Sequence, residues 1–174
     1  MHPILAGLSL AAAAAGGVAS GPCALVSREA VARIQKAPVV SEKESASGGK
    51  TVENRSCYFQ TEPYAKSVSL EWSRDRETGA ALRQWNSMFH EKHEESEREE
   101  GERAGKRAIP ATVAGIGDEA YWVPNRAGGA IYAFGSGSFV RVSVGGEGTG
   151  EEKRDRASAL AREALASLAP MRRK

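Results

Sequence analysis

An uncharged run from Ile4 to Ala15, followed by the small residues Gly17, Val18, Ala19 and Ser20, stands ahead of the chain's only two cysteines, Cys23 and Cys57. The run's 12 residues fall short of the roughly 20 that a membrane-spanning helix needs, and they end where a signal peptidase finds small residues. Residues 1–20 therefore read as a secretory signal peptide, although Met1-His2-Pro3 lacks the usual Lys or Arg, and residues 21–174 read as one mature domain. Lipid attachment would need a small residue just before the acylated cysteine, and Pro22 precedes Cys23. The expected product is secreted or periplasmic and soluble after cleavage. An exported chain with two cysteines usually pairs them, which predicts a disulfide between Cys23 and Cys57. Neither cysteine sits in a C-x-x-C motif or beside a His, which weighs against a nucleophilic or metal-binding thiol.

The mature part holds only 25 Leu, Ile, Val and Phe residues, so its core must lean on Ala, Trp, Tyr and the covalent bridge. A net charge of +2, from 24 basic and 22 acidic residues, is too weak to define a nucleic-acid partner, whose phosphates require a concentrated basic face.

Local patterns outline the elements. Ser27 is placed to cap a helix opening at Arg28, with Val26 and Val31 as its hydrophobic staple, and Pro38 ends that helix near Lys36. Residues 40–54 are Ser, Glu, Lys and Gly with few apolar side chains and read as an exposed loop. Cys57 to Gln60 and Ser67 to Trp72 read as paired strands around a turn containing Pro63. A helix is expected to begin near Asp75 or Thr78, with Leu82, Trp85 and Phe89 as its apolar stripe and Met88 beside them. It runs into a charged extension over 91–107, read as a solvated helix or coil. Three strands follow, Glu119 to Val123, Ala130 to Phe134 and Ser138 to Val144, as an antiparallel meander. A Thr149/Glu152 capping box then starts a final helix with Ala157, Leu160, Ala161, Ala164, Leu165 and Leu168 inward and Pro170 as its stop. The expected fold is α+β: an antiparallel sheet of about five strands packed with helices, in the order α-β-β-α-β-β-β-α, with both strand groups in one sheet.

Sequences that carry chemistry are few. His90 and His93 are the mature chain's only histidines, and H-E-K-H is one residue short of the zincin spacing that puts two imidazoles on one helix face. No metal and no cofactor is expected. Ser47-Gly48-Gly49-Lys50-Thr51 resembles the end of a phosphate-binding loop, but the first glycine of that motif would fall at Glu44. No G-x-S-x-G elbow is present. Asp118 and Glu119 adjoin Tyr121 and Trp122, a set able to bind a ligand or to supply acid and base. Neighbours on a strand point to opposite faces, which keeps one carboxylate from facing the other across a substrate. The basic tail Met171 to Lys174 would keep the C-terminus wet or touch anionic polymer.

Cys23-Ala24-Leu25-Val26-Ser27 with Glu29, Ser56-Cys57-Tyr58-Phe59, and Val113-Ala114-Gly115-Ile116-Gly117-Asp118-Glu119-Ala120-Tyr121-Trp122 together resemble a loose family of small bacterial envelope proteins, many of them lipid-anchored, of unknown function. The resemblance implies an α+β fold and the same disulfide, and implies no reaction. The expected function is non-enzymatic binding of an envelope ligand or protein by a monomeric, exported domain, with Asp118, Glu119, Tyr121 and Trp122 as the candidate contact residues. Two other functions stand beside it: an envelope hydrolase using Asp118 or Glu119, and an interaction protein that docks a partner through the charged stretch 91–107.

Overall fold

The structure, a computed structural model, describes residues 21–91 and 109–169. The leader, His93, nearly all of the charged extension, Pro170 and the basic tail lie outside the described residues.

Seven strands form one antiparallel sheet: β1 (Val39–Gly48), β2 (Val52–Thr61), β3 (Val68–Asp75), β4 (Ala111–Thr112), β5 (Glu119–Val123), β6 (Ala130–Gly135) and β7 (Ser138–Val144). Their spatial order is β1-β2-β3-β7-β6-β5-β4, so two meanders meet along a β3–β7 seam at the middle. Three helices complete the fold: α1 (Arg28–Gln35), α2 (Ala80–Phe89) and α3 (Gly150–Leu168). The α+β class and the single shared sheet match the expectation, whereas the strand count and element order do not. The order is α-β-β-β-α-β-β-β-β-α, with β1 and β4 as the additional strands.

The largest correction is at residues 40–54, which are not a loop but most of a hairpin, β1 turning into β2 through residues 49–51. β1 is an edge strand with one neighbour, and nearly all of its residues are exposed. Such a strand needs no apolar alternation, and its Glu42, Lys43 and Glu44 discourage further strand addition. β4 has only two residues, both exposed.

Alternation along the strands separates two cores. Cys57, Phe59, Val68, Leu70, Trp72, Ala120, Trp122, Ile131, Val140 and Val142 face α1 and α3. The helices answer with Ala30 and Val31 from α1, and with Ala157, Leu160, Ala161, Ala164, Leu165 and Leu168 from α3. Helix caps form where the sequence placed them. Ser27 Oγ accepts the Ala30 N–H at 3.1 Å, and Thr149 and Glu152 close a reciprocal capping box. The Cys23–Cys57 disulfide is present and joins the segment before α1 to the inner face of β2.

On the opposite face, α2 packs through Ala81 and Trp85 onto Phe134 and Phe139, with Phe89, Tyr121 and Tyr132 at the margin. The helix starts later than Asp75 or Thr78 because Asp75 ends β3 and accepts the N–H groups of Gly79 and Ala81, both at 2.6 Å. Its buried positions are Ala80, Ala81 and Trp85, while Leu82 is 46% exposed, so the apolar stripe is narrower than its spacing predicts. Small residues at 80 and 81 let the helix lie close to the sheet.

Candidate functional site

β5 sorts the four candidate residues by parity. Asp118 is exposed in the turn before the strand, where its N–H bonds the Phe134 carbonyl at 2.8 Å. Ala120 and Trp122 point to the α1/α3 core, and Trp122 is only 7% exposed. Glu119 and Tyr121 are half-buried and point to the α2 side. The structure thus brings Glu119 and Tyr121 together and moves Trp122 to the other face.

Two glycines make this arrangement possible. Gly117 has φ +58° and sits against the Phe134 carbonyl, with Leu165 Cδ1 2.7 Å from where a Cβ would be. Gly129 has φ +138°, and a Cβ there would strike the Trp122 indole. A side chain at either position would displace β5 or its core tryptophan.

Glu119 is the hub of the α2 side. Oε1 accepts the Tyr121 hydroxyl at 2.6 Å, and Oε2 accepts the Trp85 indole N–H at 2.7 Å. His90 Nε2, at the C-cap of α2, lies 2.9 Å from Oε2. Burial pushes the Glu119 carboxyl up, but the hydrogen bonds from Tyr121, Trp85 and His90 outweigh it and hold the group below the usual carboxylate range. The same contact raises the Tyr121 phenol, with burial adding to it, because ionisation would cost the hydrogen bond and set two negative charges together. Aromatic rings wall the hub. Phe89 stacks on Tyr121 at 4.5 Å and 10°, Phe89 meets Tyr132 edge-on at 5.6 Å, and Trp85 lies 5.5 and 5.7 Å from Phe134 and Phe139.

From this hub a polar row crosses the sheet. Strand register sets Tyr121 opposite Tyr132, Tyr132 opposite Arg141, Arg141 opposite Glu71, Glu71 opposite Ser56 and Ser56 opposite Ser45. Arg141 donates to the Tyr132 hydroxyl at 3.0 Å and to Glu71 at 2.6 Å, and Ser45 and Ser56 share a hydrogen bond of 2.7 Å. A second row on the same face carries Lys43, Tyr58, Ser69 and Ser143. Among the described residues, α2 is the one α-helix packed on this face, and the Tyr64 ring from the turn after β2 lies 6.2 Å from that of Tyr58. The half of the sheet toward β1 and β2 therefore presents hydroxyls to solvent.

Sequence reasoning missed four members of this constellation. Trp85 reads as core and is core, yet its N–H serves Glu119. His90 reads as a solvated or metal-binding residue and instead closes the hub. Tyr132 and Arg141 join only through register, although the even spacing of Glu119 and Tyr121 on one strand was a usable signal for their shared face. Among the described residues no group of three or more His, Cys, Asp and Glu is arranged to hold a metal ion, and no helix is long and apolar enough to cross a membrane. A separate hollow of about 390 Å³ lies between α1 and the N-terminal turns of α3, and its lining includes Lys36, Lys66 and Arg156 together with Glu147, Glu152 and Asp155.

Comparison with protein-family models, with curated proteins and with solved structures finds no match for this chain.

Proposed function

We propose that this chain is an exported, non-enzymatic binding domain of the cell envelope, which holds a ligand or protein partner on the α2 side of its sheet. The supporting observation is the pairing of a fixed aromatic patch, Phe89, Tyr121 and Tyr132, with the uncovered hydroxyl-bearing rows beside it. Rigid aromatic faces next to adaptable hydroxyls are the composition that recognition surfaces favour, because the rings supply contact area at little entropic cost. Glu119 supports binding over hydrolysis. Both its oxygens already serve side chains of the same protein, and its lowered pKa makes it a poor proton acceptor at neutral pH. Export is supported by the apolar leader and the disulfide, which persists in an oxidising compartment.

The test is photo-crosslinking in intact cells from benzoylphenylalanine at Met88, beside the aromatic patch, and at Tyr58, on the open rows. A discrete cross-linked species from either position, absent when the probe stands at Ala166 on the outer side of α3, is the expected result. Identical patterns from all three positions, or none from any, would overturn the assignment of this face.

A further inference from the structure

Gly21 lies against the side chain of Glu44 on β1. A Cβ built on Gly21 would stand 2.7 Å from Glu44 Oε2 and 2.8 Å from its Cδ. Standard bond lengths put a residue's nitrogen about 2.5 Å from its Cβ position, so the Gly21 nitrogen is within about 5 Å of that carboxylate. Gly21 has φ −158°, extended backbone open to any residue. A side chain at this position would push the Glu44 carboxylate aside.

The carboxylate is oriented toward this end of the chain by other contacts. Oε1 accepts the Cys23 N–H at 3.2 Å, and Oε2 pairs with Arg55 at 3.2 Å. Glu44 is opposite Cys57 in the β1–β2 register, and Cys57 is bonded to Cys23. The disulfide, the edge strand and the residues just after the leader therefore converge on one oxygen pair. In the uncut chain the Gly21 nitrogen is an uncharged amide. Hydrolysis of the Ser20–Gly21 bond adds water across it, so that Ser20 departs as a carboxylate and the Gly21 nitrogen becomes an ammonium.

We propose that Gly21 is the first residue of the mature protein and that Glu44 is the counter-ion of its new α-ammonium, an ion pair that the precursor lacks. The proposal rests on the export reading above, which already sets the cut after Ser20, and goes beyond it by assigning a partner for the group that the cut creates. An opposite charge within about 4–6 Å stabilises the charged form of an amine.

The experiment expresses the full chain with its leader, collects the exported fraction and measures intact mass. The terminal amine is then acetylated with a succinimidyl ester at pH 7, where an α-amine of ordinary pKa, about 7.7–8.0, outcompetes lysines near 10.4. The expected protein begins at Gly21 and is labelled there roughly three- to tenfold more slowly than its Glu44→Gln variant, a shift of about one pKa unit or less. Glu42→Gln, two residues along and ion-paired with Arg28, should label like the wild type. Equal rates in wild type and Glu44→Gln, on a protein that begins at Gly21, would refute the ion pair and leave export standing. A different first residue would refute the position of the cut. Full-length chain confined to the cytosol would remove the export reading as well. Should Glu44→Gln fail to accumulate, ionic strength gives the second reading. Raising it from about 0.01 to 1 M should speed labelling of the wild type several-fold, and a rate indifferent to salt would overturn the pairing.

Discussion

Trp85→Phe separates the two tasks of the indole, filling space under α2 and donating to Glu119. Trp85 is 1% exposed and is packed among Phe89, Tyr121, Phe134 and Phe139. Phenylalanine keeps an aromatic ring there and leaves a void of about 40 Å³, which costs about 1 kcal/mol at ~24 cal/mol per Å³. Losing a hydrogen bond to a charged acceptor costs about 1.5–3 kcal/mol, the lower figure being appropriate to a carboxylate that is not fully buried. The substitution should therefore destabilise by about 2.5–3 kcal/mol at pH 7, read from urea unfolding followed by circular dichroism. Glu119→Gln should cost about 2 kcal/mol, because its amide sets a donor against a donor. In the double variant the two losses should overlap by at least about 1 kcal/mol, since the shared hydrogen bond is counted once. The pH dependence has a definite sign. Glu119 has its folded pKa lowered, so its stabilisation is complete above the unfolded value near 4.3 and disappears as pH falls through the folded value. Hence the Trp85→Phe deficit should shrink toward the void cost of about 1 kcal/mol as the pH falls through that folded value. Strict additivity at pH 7, or a deficit unchanged at acid pH, would show that the Glu119 hub is not an energetic unit.

Four further outcomes are expected. Reducing the disulfide, whose cysteines are 34 residues apart, should cost about 4 kcal/mol by the chain-entropy relation and lower the melting temperature by roughly 10 °C; calorimetry with and without reductant measures it. Gly117→Ala should destabilise by more than about 2 kcal/mol, through left-handed strain and collision with the Phe134 carbonyl. Gly115→Ala, at φ +74° with no atom within 4 Å of its Cβ, should show only the strain, about 1 kcal/mol by the same urea assay. In Glu119→Gln the Tyr121 phenol should titrate closer to an ordinary tyrosine, because the carboxylate contact that raises it is gone; ultraviolet difference spectra against alkaline pH report the shift.

The parts of the fold visible in the sequence are those where one side chain decides the local outcome. Ser27, Thr149 with Glu152, and the Pro38 stop mark helix ends because capping and proline geometry act within a few residues. The β5–β6–β7 meander shows itself because its strands face a core on alternate residues. β1 is hidden because it has one neighbouring strand and contact with water over most of its length, conditions under which Ser, Glu and Lys serve as well as Val. The site is half legible. Glu119 and Tyr121 are two apart on a strand and share a face, whereas Trp85 and His90 come from a helix 29 or more residues away. Only the position of α2 over β3 and β7 joins them, and that placement is a tertiary fact.

The seam between β3 and β7 also fixes an order of assembly. Partners such as Glu71 and Arg141 are 70 residues apart, so the middle of the sheet cannot close until the second meander has been delivered. α3 follows that meander and must arrive later still to seal the inner core. Both sulfurs, by contrast, belong to the first meander and its lead-in, so they can be joined before the second meander is in place. During that interval β3 is itself a temporary edge, and the bridge limits how far the early half can stray before its lasting neighbour reaches it.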